Sequence, residues 1–149
     1  MERLDAANRA IIEELQRDGR RSYSAIAEAI GLSEAAVRQR VQRLRESGVV
    51  QIVAVTDPKR VGFSRQALVG IRATGDLRRL AEKLASIAEI DYVVVCAGSF
   101  DILVELVCED DAHLVDLLNT TIRSLPEVRE AETFVYLDLT KQTYTWGTR

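Results

Sequence analysis

The order of structural elements in the second half of the chain limits the fold more than any other feature. Two segments with helical periodicity, Asp76–Ala88 and Asp110–Leu125, alternate there with four strand-like segments. The strand-like segments are Gln66–Ala73, Ile90–Ala97, Asp101–Cys108 and Val128–Leu139. The resulting β-α-β-β-α-β order predicts a ferredoxin-like domain.

The first half shows helical periodicity in three short segments. Each segment begins after a residue suited to capping a helix: Asp5, Ser22 and Ser33. Gly19 and Gly31 are typical of helix ends, and the third segment runs to about Ser47. A three-residue turn between the second and third segments predicts a winged helix-turn-helix, followed by extended chain.

The sequence therefore predicts an α+β protein of two modules. Residues 1–50 form the helix-turn-helix domain, residues 51–63 a hinge or linker strand, and residues 64–149 the ferredoxin-like domain. Residues 1–62 contain 11 Lys or Arg against 9 Asp or Glu, whereas residues 63–149 contain 9 against 14. A basic half beside an acidic half indicates different partners for the two modules.

The third helix is the candidate DNA-reading element. Burial of Val37, Val41 and Leu44 on one face leaves a polar, arginine-rich face outward. Arg38 and Gln39 suit bidentate contacts with guanine and adenine, while arginines further along the helix suit phosphates. The predicted DNA contacts are Ser22, Ser33, Glu34, Ala35, Arg38, Gln39, Gln42, Arg43 and Arg45.

Two alternatives stay open for this surface. An arginine-rich helix face can be merely solvated, although the turn and the four arginines of one helix favour DNA. A protein that organises DNA with low sequence preference would carry a similar face. Arg40 is ambiguous, since it can brace the helix against its neighbours instead of contacting DNA.

Several other classes of function lack their signatures in this sequence. Phosphate-loop, dinucleotide and nucleophile–base patterns are not found, so no catalytic site or cofactor is predicted. The single histidine, His113, and the isolated Cys96 and Cys108 predict no metal site. The two cysteines lie near opposite ends of a predicted hairpin, too far apart for a disulfide. No apolar run is long enough for a membrane span and no signal core is found, so we expect a cytoplasmic location.

The turn Gly98-Ser99-Phe100-Asp101 is the candidate small-molecule loop. Glycine allows backbone N–H groups to approach a carboxylate, Ser99 can donate, and Asp101 can accept from an ammonium group. An amino acid presents both complementary groups. The same residues can equally well make and cap a turn without any ligand. Thr133 is a weaker effector candidate.

Motifs along nearly the whole chain resemble the leucine-responsive and asparagine-operon regulator family (Lrp/AsnC). The segments that carry the resemblance are Leu4-Asp5, Leu15–Arg20, Ala27, Gly31-Leu32-Ser33, Val37, Arg40-Val41, Leu44, Gly48-Val49-Val50, Asp57-Pro58, Val61-Gly62, Gly98–Leu103 and Leu125–Val128. Ile52-Val53 departs from the Gly-Tyr or similar pair that is usual there, which affects the wing and hinge.

The resemblance implies a transcriptional regulator that binds double-stranded DNA and responds to an amino acid. It also implies effector binding near Gly98–Asp101 (Gly98, Ser99, Phe100, Asp101) at interfaces between paired domains, in homodimers that assemble to octamers or similar. The residues support the pairing of two domains independently, because the strands around Val93 and Val104 are almost entirely apolar on both faces, with Glu105 as the exception. A sheet that is apolar on both sides needs a second cover, and a second copy is the simplest one.

Overall fold

The computed structural model describes residues 4–148 and divides into two compact units. The first unit contains the described residues up to Val55 together with the segment that begins at Lys141. The second unit is Thr56–Thr140. The segment after Lys141 therefore groups with the first unit, whereas the sequence assigned residues 64–149 to a single domain.

The first unit is a three-helix domain. Its helices are α1 (Ala6–Arg17), α2 (Tyr23–Ile30) and α3 (Glu34–Glu46). All three predicted N-caps are confirmed: the side chains of Asp5, Ser22 and Ser33 accept from backbone N–H groups at the starts of these helices. Each cap thereby satisfies a donor that the helix itself cannot pair.

The helix ends follow the sequence less uniformly. Gly31 ends α2 with φ 71°, in the left-handed region that favours glycine. α1 ends where the sequence predicted, at Asp18-Gly19, but the conformational freedom of glycine is not used there. The C-cap is Asp18, whose extended backbone donates its N–H to the Glu14 carbonyl, and Gly19 does not adopt a positive φ.

A small apolar core holds the three helices together. One side of each helix is buried, and the set is Ile11, Ile12, Leu15, Ile26, Ala27, Val37, Val41 and Leu44. Within this set Ile11, Ile26 and Val37 are fully enclosed. The predicted inward face of α3 is therefore confirmed, and its opposite face is free for another role.

The predicted hinge strand in residues 51–63 does not form within this chain. Residues 51–57 have no strand pairing, and a 3₁₀ turn follows at Pro58–Val61. Ile52, Val53 and Val55 are exposed. An isolated extended segment has no ladder partner for its backbone groups, and among the described residues none is supplied.

The second unit has the predicted ferredoxin-like topology. Its elements are β1 (Arg65–Ala73), α4 (Leu77–Ala85), β2 (Ile90–Val95), β3 (Ile102–Cys108), α5 (Asp111–Asp116, continued by a π-helix at Leu117–Ile122) and β4 (Val128–Val135). The sheet order is β2-β3-β1-β4, and every pair is antiparallel. α4, α5 and the last strand end earlier than predicted, and the last helical turns are π rather than α.

One face of the sheet is covered by the helices and the other is not. Val69, Ile71 and Val104 point to the covered face and are fully buried against α4 and α5. The uncovered face carries Leu68 and exposed Tyr92, but also the polar pair described next. It is thus less uniformly apolar than expected.

Glu105 and Gln66 form a polar pair on this uncovered face. The Gln66 amide donates to the Glu105 carboxylate at 2.5 Å. Burial, together with the nearby Glu105 charge, raises the pKa of the Tyr136 hydroxyl.

Cys96 and Cys108 are both free, as expected, with Cys108 buried.

Candidate nucleic-acid interface

The outer face of α3 carries the predicted DNA-contacting side chains together. Every one of them is exposed: Glu34, Ala35, Arg38, Gln39, Gln42, Arg43 and Arg45. Gln39, Arg43 and Arg45 make no side-chain hydrogen bond or ion pair with any part of the chain between residues 4 and 148. Their donors are therefore available to bases or phosphates.

The predicted serine contacts lie at the beginnings of α2 and α3. Ser22 and Ser33 are exposed, and each hydroxyl accepts from a backbone N–H group of its own helix at 3.2 Å. Their first role is capping. The remaining N–H groups of each first turn, together with the helix dipole, favour an anion such as a phosphate.

Arg38 is the best-positioned base-reading candidate. Its Nη2 donates to the Glu34 carboxylate at 2.6 Å, and its guanidinium carbon lies 5.3 Å from the centroid of the Tyr23 ring. The distance to the ring is within the range of a cation–π interaction. Although these contacts restrict Arg38, its side chain is still 62% exposed.

Arg40 braces the domain. Its Nη1 donates to the Asp5 carboxylate at 2.6 Å and to the Asn8 side-chain oxygen at 2.9 Å, which ties α3 to the start of α1. The Asn8 backbone N–H and Arg40 lower the pKa of Asp5. The structure resolves the ambiguity of Arg40, since its charge is used inside the domain.

Two further arginines form ion pairs within the domain. Glu14 is buried and accepts from Arg17 at 2.7 Å and from Arg21. Arg17 and Arg21 therefore neutralise a buried carboxylate, as burial of a charge requires. Arg17 and Glu14 are three residues apart in α1, but Arg21 reaches Glu14 from beyond the end of that helix. Helical spacing alone therefore does not reveal the whole cluster, nor the approach of Tyr23 to Arg38.

In the second unit, the internal contacts of Asp101 limit what it can bind. Its carboxylate accepts from the Ala73 backbone N–H at 2.8 Å, and its own N–H donates to the Ile71 carbonyl at 2.9 Å. The hydrogen bond from Ala73 lies at the register shift between Arg72 and Ala73, where the β-ladder leaves a donor unpaired. Asp101 thus connects the turn to β1.

Phe100 and Ser99 are held by Arg72. The Arg72 Nε donates to the Ser99 carbonyl at 2.8 Å, and its guanidinium carbon lies 5.1 Å from the Phe100 ring centroid. The ring covers the backbone of Gly70, where an added Cβ would lie 2.7 Å from it. Gly70 is therefore needed for this approach.

Gly98 and Thr133 have less defined roles. Gly98 does not adopt a positive φ, and a Cβ there would meet nothing within 4 Å, so the turn itself does not require glycine. Thr133 pairs with Val69 and points to the helix-covered side, opposite the side on which Phe100 covers Gly70. Its buried hydroxyl has no hydrogen-bond partner in the described structure. Thr133 is not brought together with the turn in one protomer.

Two further observations concern other classes of site. The described residues contain no group of three or more His, Cys, Asp or Glu side chains placed to hold a metal. Among the helices between residues 4 and 148, none combines the length and apolar character of a membrane span.

Comparison with known protein families identifies both units. Residues 4–45 match the AsnC-type helix-turn-helix domain, and residues 64–149 match a C-terminal dimeric alpha+beta barrel domain of the AsnC-type regulators. The chain belongs to the Lrp/AsnC family of transcriptional regulators. The resemblance carried by the sequence motifs is confirmed.

Individual relatives agree with this assignment. The transcriptional regulator FL11 of Pyrococcus horikoshii is 32% identical over 142 residues, which cover 94% of this chain and 93% of that protein. AsnC of E. coli has the same fold, with a TM-score of 0.81, 23% identity, and coverage of 96% of this chain and 98% of that one. A Neisseria meningitidis regulator solved with L-Met gives a TM-score of 0.82 at 24% identity, covering 96% of each chain.

Proposed function

We propose that this member of the family is a sequence-specific DNA-binding regulator that acts as a homodimer or higher oligomer and responds to an amino acid. The observation that carries the DNA-binding part is the exposed, basic outer face of α3, with Gln39, Arg43 and Arg45 free of internal partners among the described residues. A helix with that face fits the major groove.

Direct base reading is assigned to Arg38 and Gln39, and phosphate contact to Arg43 and Arg45. The other members of the predicted interface, Ser22, Ser33, Glu34, Ala35 and Gln42, line the approach. Ala35 is exposed and small, so it allows the beginning of α3 to come close to base edges. A dimer would present two such helices to half-sites one helical turn, or a multiple of it, apart.

The experiment is selection of bound sequences from a random duplex pool, followed by fluorescence anisotropy at several salt concentrations. Arg38→Ala should cost about 1–3 kcal/mol of specific binding and relax one base position. A DNA-organising protein of low specificity predicts no enriched sequence and a salt slope unchanged by Arg38→Ala. If the unsubstituted protein enriches no sequence, that alternative therefore replaces sequence-specific regulation.

The amino-acid part of the proposal rests on the turn Gly98–Asp101 and on the L-Met complex of the Neisseria relative. Within one chain the Asp101 carboxylate is already engaged by Ala73. An effector site at this turn therefore needs groups from a second copy, which agrees with the dimeric character of the matched domain. An octamer is the assembly we propose.

A thermal-shift titration with the individual amino acids tests the effector. A ligand that binds only the folded protein raises its apparent melting temperature by mass action. The ligand should also change the DNA affinity or the assembly measured by sedimentation. If no amino acid alters either melting or sedimentation, the effector part of the proposal is wrong and the DNA-binding part is unaffected.

A further inference from the structure

We propose that Tyr23 and Glu34 are specificity-determining residues that position Arg38 for reading a guanine. The proposal rests on the DNA-binding function proposed above and deepens it. It assigns a role to one residue of α2 and to one glutamate on a face that otherwise attracts DNA through positive charge.

The geometry fixes the guanidinium from two directions. The Tyr23 ring lies at 5.3 Å from the guanidinium carbon, and the Glu34 carboxylate accepts from Nη2 at 2.6 Å. Glu34 and Arg38 are one helical turn apart, so this contact is built into α3. Tyr23 comes from the preceding helix and is half-buried against the domain core, so its ring cannot follow Arg38 freely.

Positioning matters because a guanine contact is bidentate. Two coplanar donors must meet O6 and N7 together, and a free arginine loses rotamer freedom when it is fixed in that plane. A guanidinium already held by a ring and a carboxylate loses less freedom on binding. Its remaining exposed edge still reaches outward, since Arg38 is 62% exposed.

Glu34 also affects the affinity for DNA in general. A carboxylate at the beginning of the reading helix is half-exposed and repels phosphates, so it lowers affinity for every DNA sequence. Because that repulsion acts on specific and non-specific DNA alike, it cancels in the ratio of the two affinities. Glu34 therefore contributes to specificity through the orientation that it gives to Arg38.

The test measures the ratio of specific to non-specific affinity by anisotropy, using the site selected from the random pool and a scrambled duplex. Tyr23→Leu should lower this ratio by about threefold to tenfold, with an unchanged salt slope for non-specific DNA. Tyr23→Phe, which keeps the ring, should rescue the ratio. Sequencing of the selected pools should show the loss at one base position only.

Glu34→Gln should lower the ratio by roughly twofold to fivefold, because the removed charge raises affinity for both duplexes while the specific site also loses the positioned Arg38. Glu28→Gln is the matched control, because it removes the same charge from an exposed position of α2 whose side chain makes no hydrogen bond or ion pair with the described residues. Equal effects of the two substitutions would reduce Glu34 to a general charge effect and overturn its positioning role.

The outcomes separate this inference from the proposed function. If Arg38→Ala lowers the ratio while Tyr23→Leu and Glu34→Gln do not, the inference is wrong and the DNA-binding function stands. If the unsubstituted protein prefers no sequence, both fail. If circular dichroism shows that Tyr23→Leu is unfolded, the question is decided by comparing the affinity ratios of Glu34→Gln and Glu28→Gln.

Discussion

The outer face of α3 and the turn Gly98–Asp101 use polar groups in opposite ways. On α3, Gln39, Arg43 and Arg45 point outward and have no internal partner among the described residues. In the turn, the Asp101 carboxylate and the Ser99 carbonyl are both engaged by β1. The donors on α3 are available to a partner, whereas these two acceptors of the turn are used within the fold of the second unit.

This difference separates a complete site from an incomplete one. The proposed DNA-reading face needs only one helix and the contacts that support it, here Arg40 on Asp5 and Tyr23 beside Arg38. A small-molecule site must surround its ligand with matched groups. In a single chain the Asp101 carboxylate, the group proposed to accept from an ammonium, is already engaged by Ala73, so the proposed function of the turn depends on a second copy.

The largest expected effect is a loss of unfolding free energy that stays within one of the two units. Ile26→Ala in the first unit and Leu84→Ala in the second each remove a fully enclosed side chain and should cost about 2–5 kcal/mol of unfolding free energy. Hydrogen exchange followed by mass spectrometry should show protection lost mainly in the unit that carries the substitution. Ile26→Ala should also weaken DNA binding, because α2 supports α3.

An equal loss of protection in both units, whichever residue is changed, would contradict the comparison. The two units would then unfold as one cooperative body, and DNA reading and effector sensing could not be assigned to them separately. The conservative Ile26→Val is a suitable control, since it should cost only about 0.5–1.5 kcal/mol.

The next effect compares Gly70, which lies in β1 beneath the Phe100 ring, with Gly98 in the turn. Gly70→Ala places a Cβ 2.7 Å from the Phe100 ring and should cost about 1–3 kcal/mol through overpacking. Gly98→Ala meets nothing within 4 Å and should leave the melting temperature nearly unchanged. Differential scanning calorimetry measures both.

The same pair then tests the effector proposal. If Gly98 serves a ligand, Gly98→Ala should weaken the amino-acid response in the thermal-shift titration while stability is retained. A Gly70→Ala protein as stable as the unsubstituted one would show that Phe100 moves easily, and the turn would not be rigidly held by β1.

The sequence predicted those features that depend on neighbouring residues. The caps at Asp5, Ser22 and Ser33 each act on an N–H group three residues ahead, so a short motif contains the whole interaction. The inward face of α3 follows from helical periodicity for the same reason. Element order then led to the ferredoxin-like topology.

Features that depend on distant partners could not be predicted in this way. Arg40 meets Asp5 across 35 positions, and Asp101 meets Ala73 across 28. The hinge strand was predicted from β-propensity, yet a strand forms only where a ladder partner exists, and none is present among the described residues. Gly70 was missed because its importance comes from the Phe100 ring that covers it.

A smaller effect distinguishes two arginines of α3. Arg43→Ala should lower affinity for all DNA sequences alike and reduce the salt slope by about 1, without lowering the melting temperature. Arg40→Ala removes the contacts to Asp5 and Asn8, so it should lower the melting temperature and change the salt slope little. Anisotropy against salt and calorimetry make the two measurements. The reverse pattern would move Arg40 into the DNA interface.

The smallest effect is the response to acid. Arg65 lowers the pKa of Asp111, and Lys83 lowers that of Glu127, so each carboxylate binds protons less readily when folded than when unfolded. Their stabilisation of the second unit is therefore fully present above the usual values of 3.8 and 4.5, and is lost as the pH falls through the lowered folded values. Asp111→Asn should make the melting temperature of this unit less dependent on pH below about 4. At pH 7 the substitution should lower the melting temperature only by the loss of the Arg65 contact. The lowered pKa of Asp5 belongs to the first unit and is not changed by this substitution, so the pH dependence of that unit should be the same in Asp111→Asn. Hydrogen exchange of each unit at pH 3 and pH 5, corrected for intrinsic exchange rates, measures the difference, and an equal change in both units would contradict their separate acid responses.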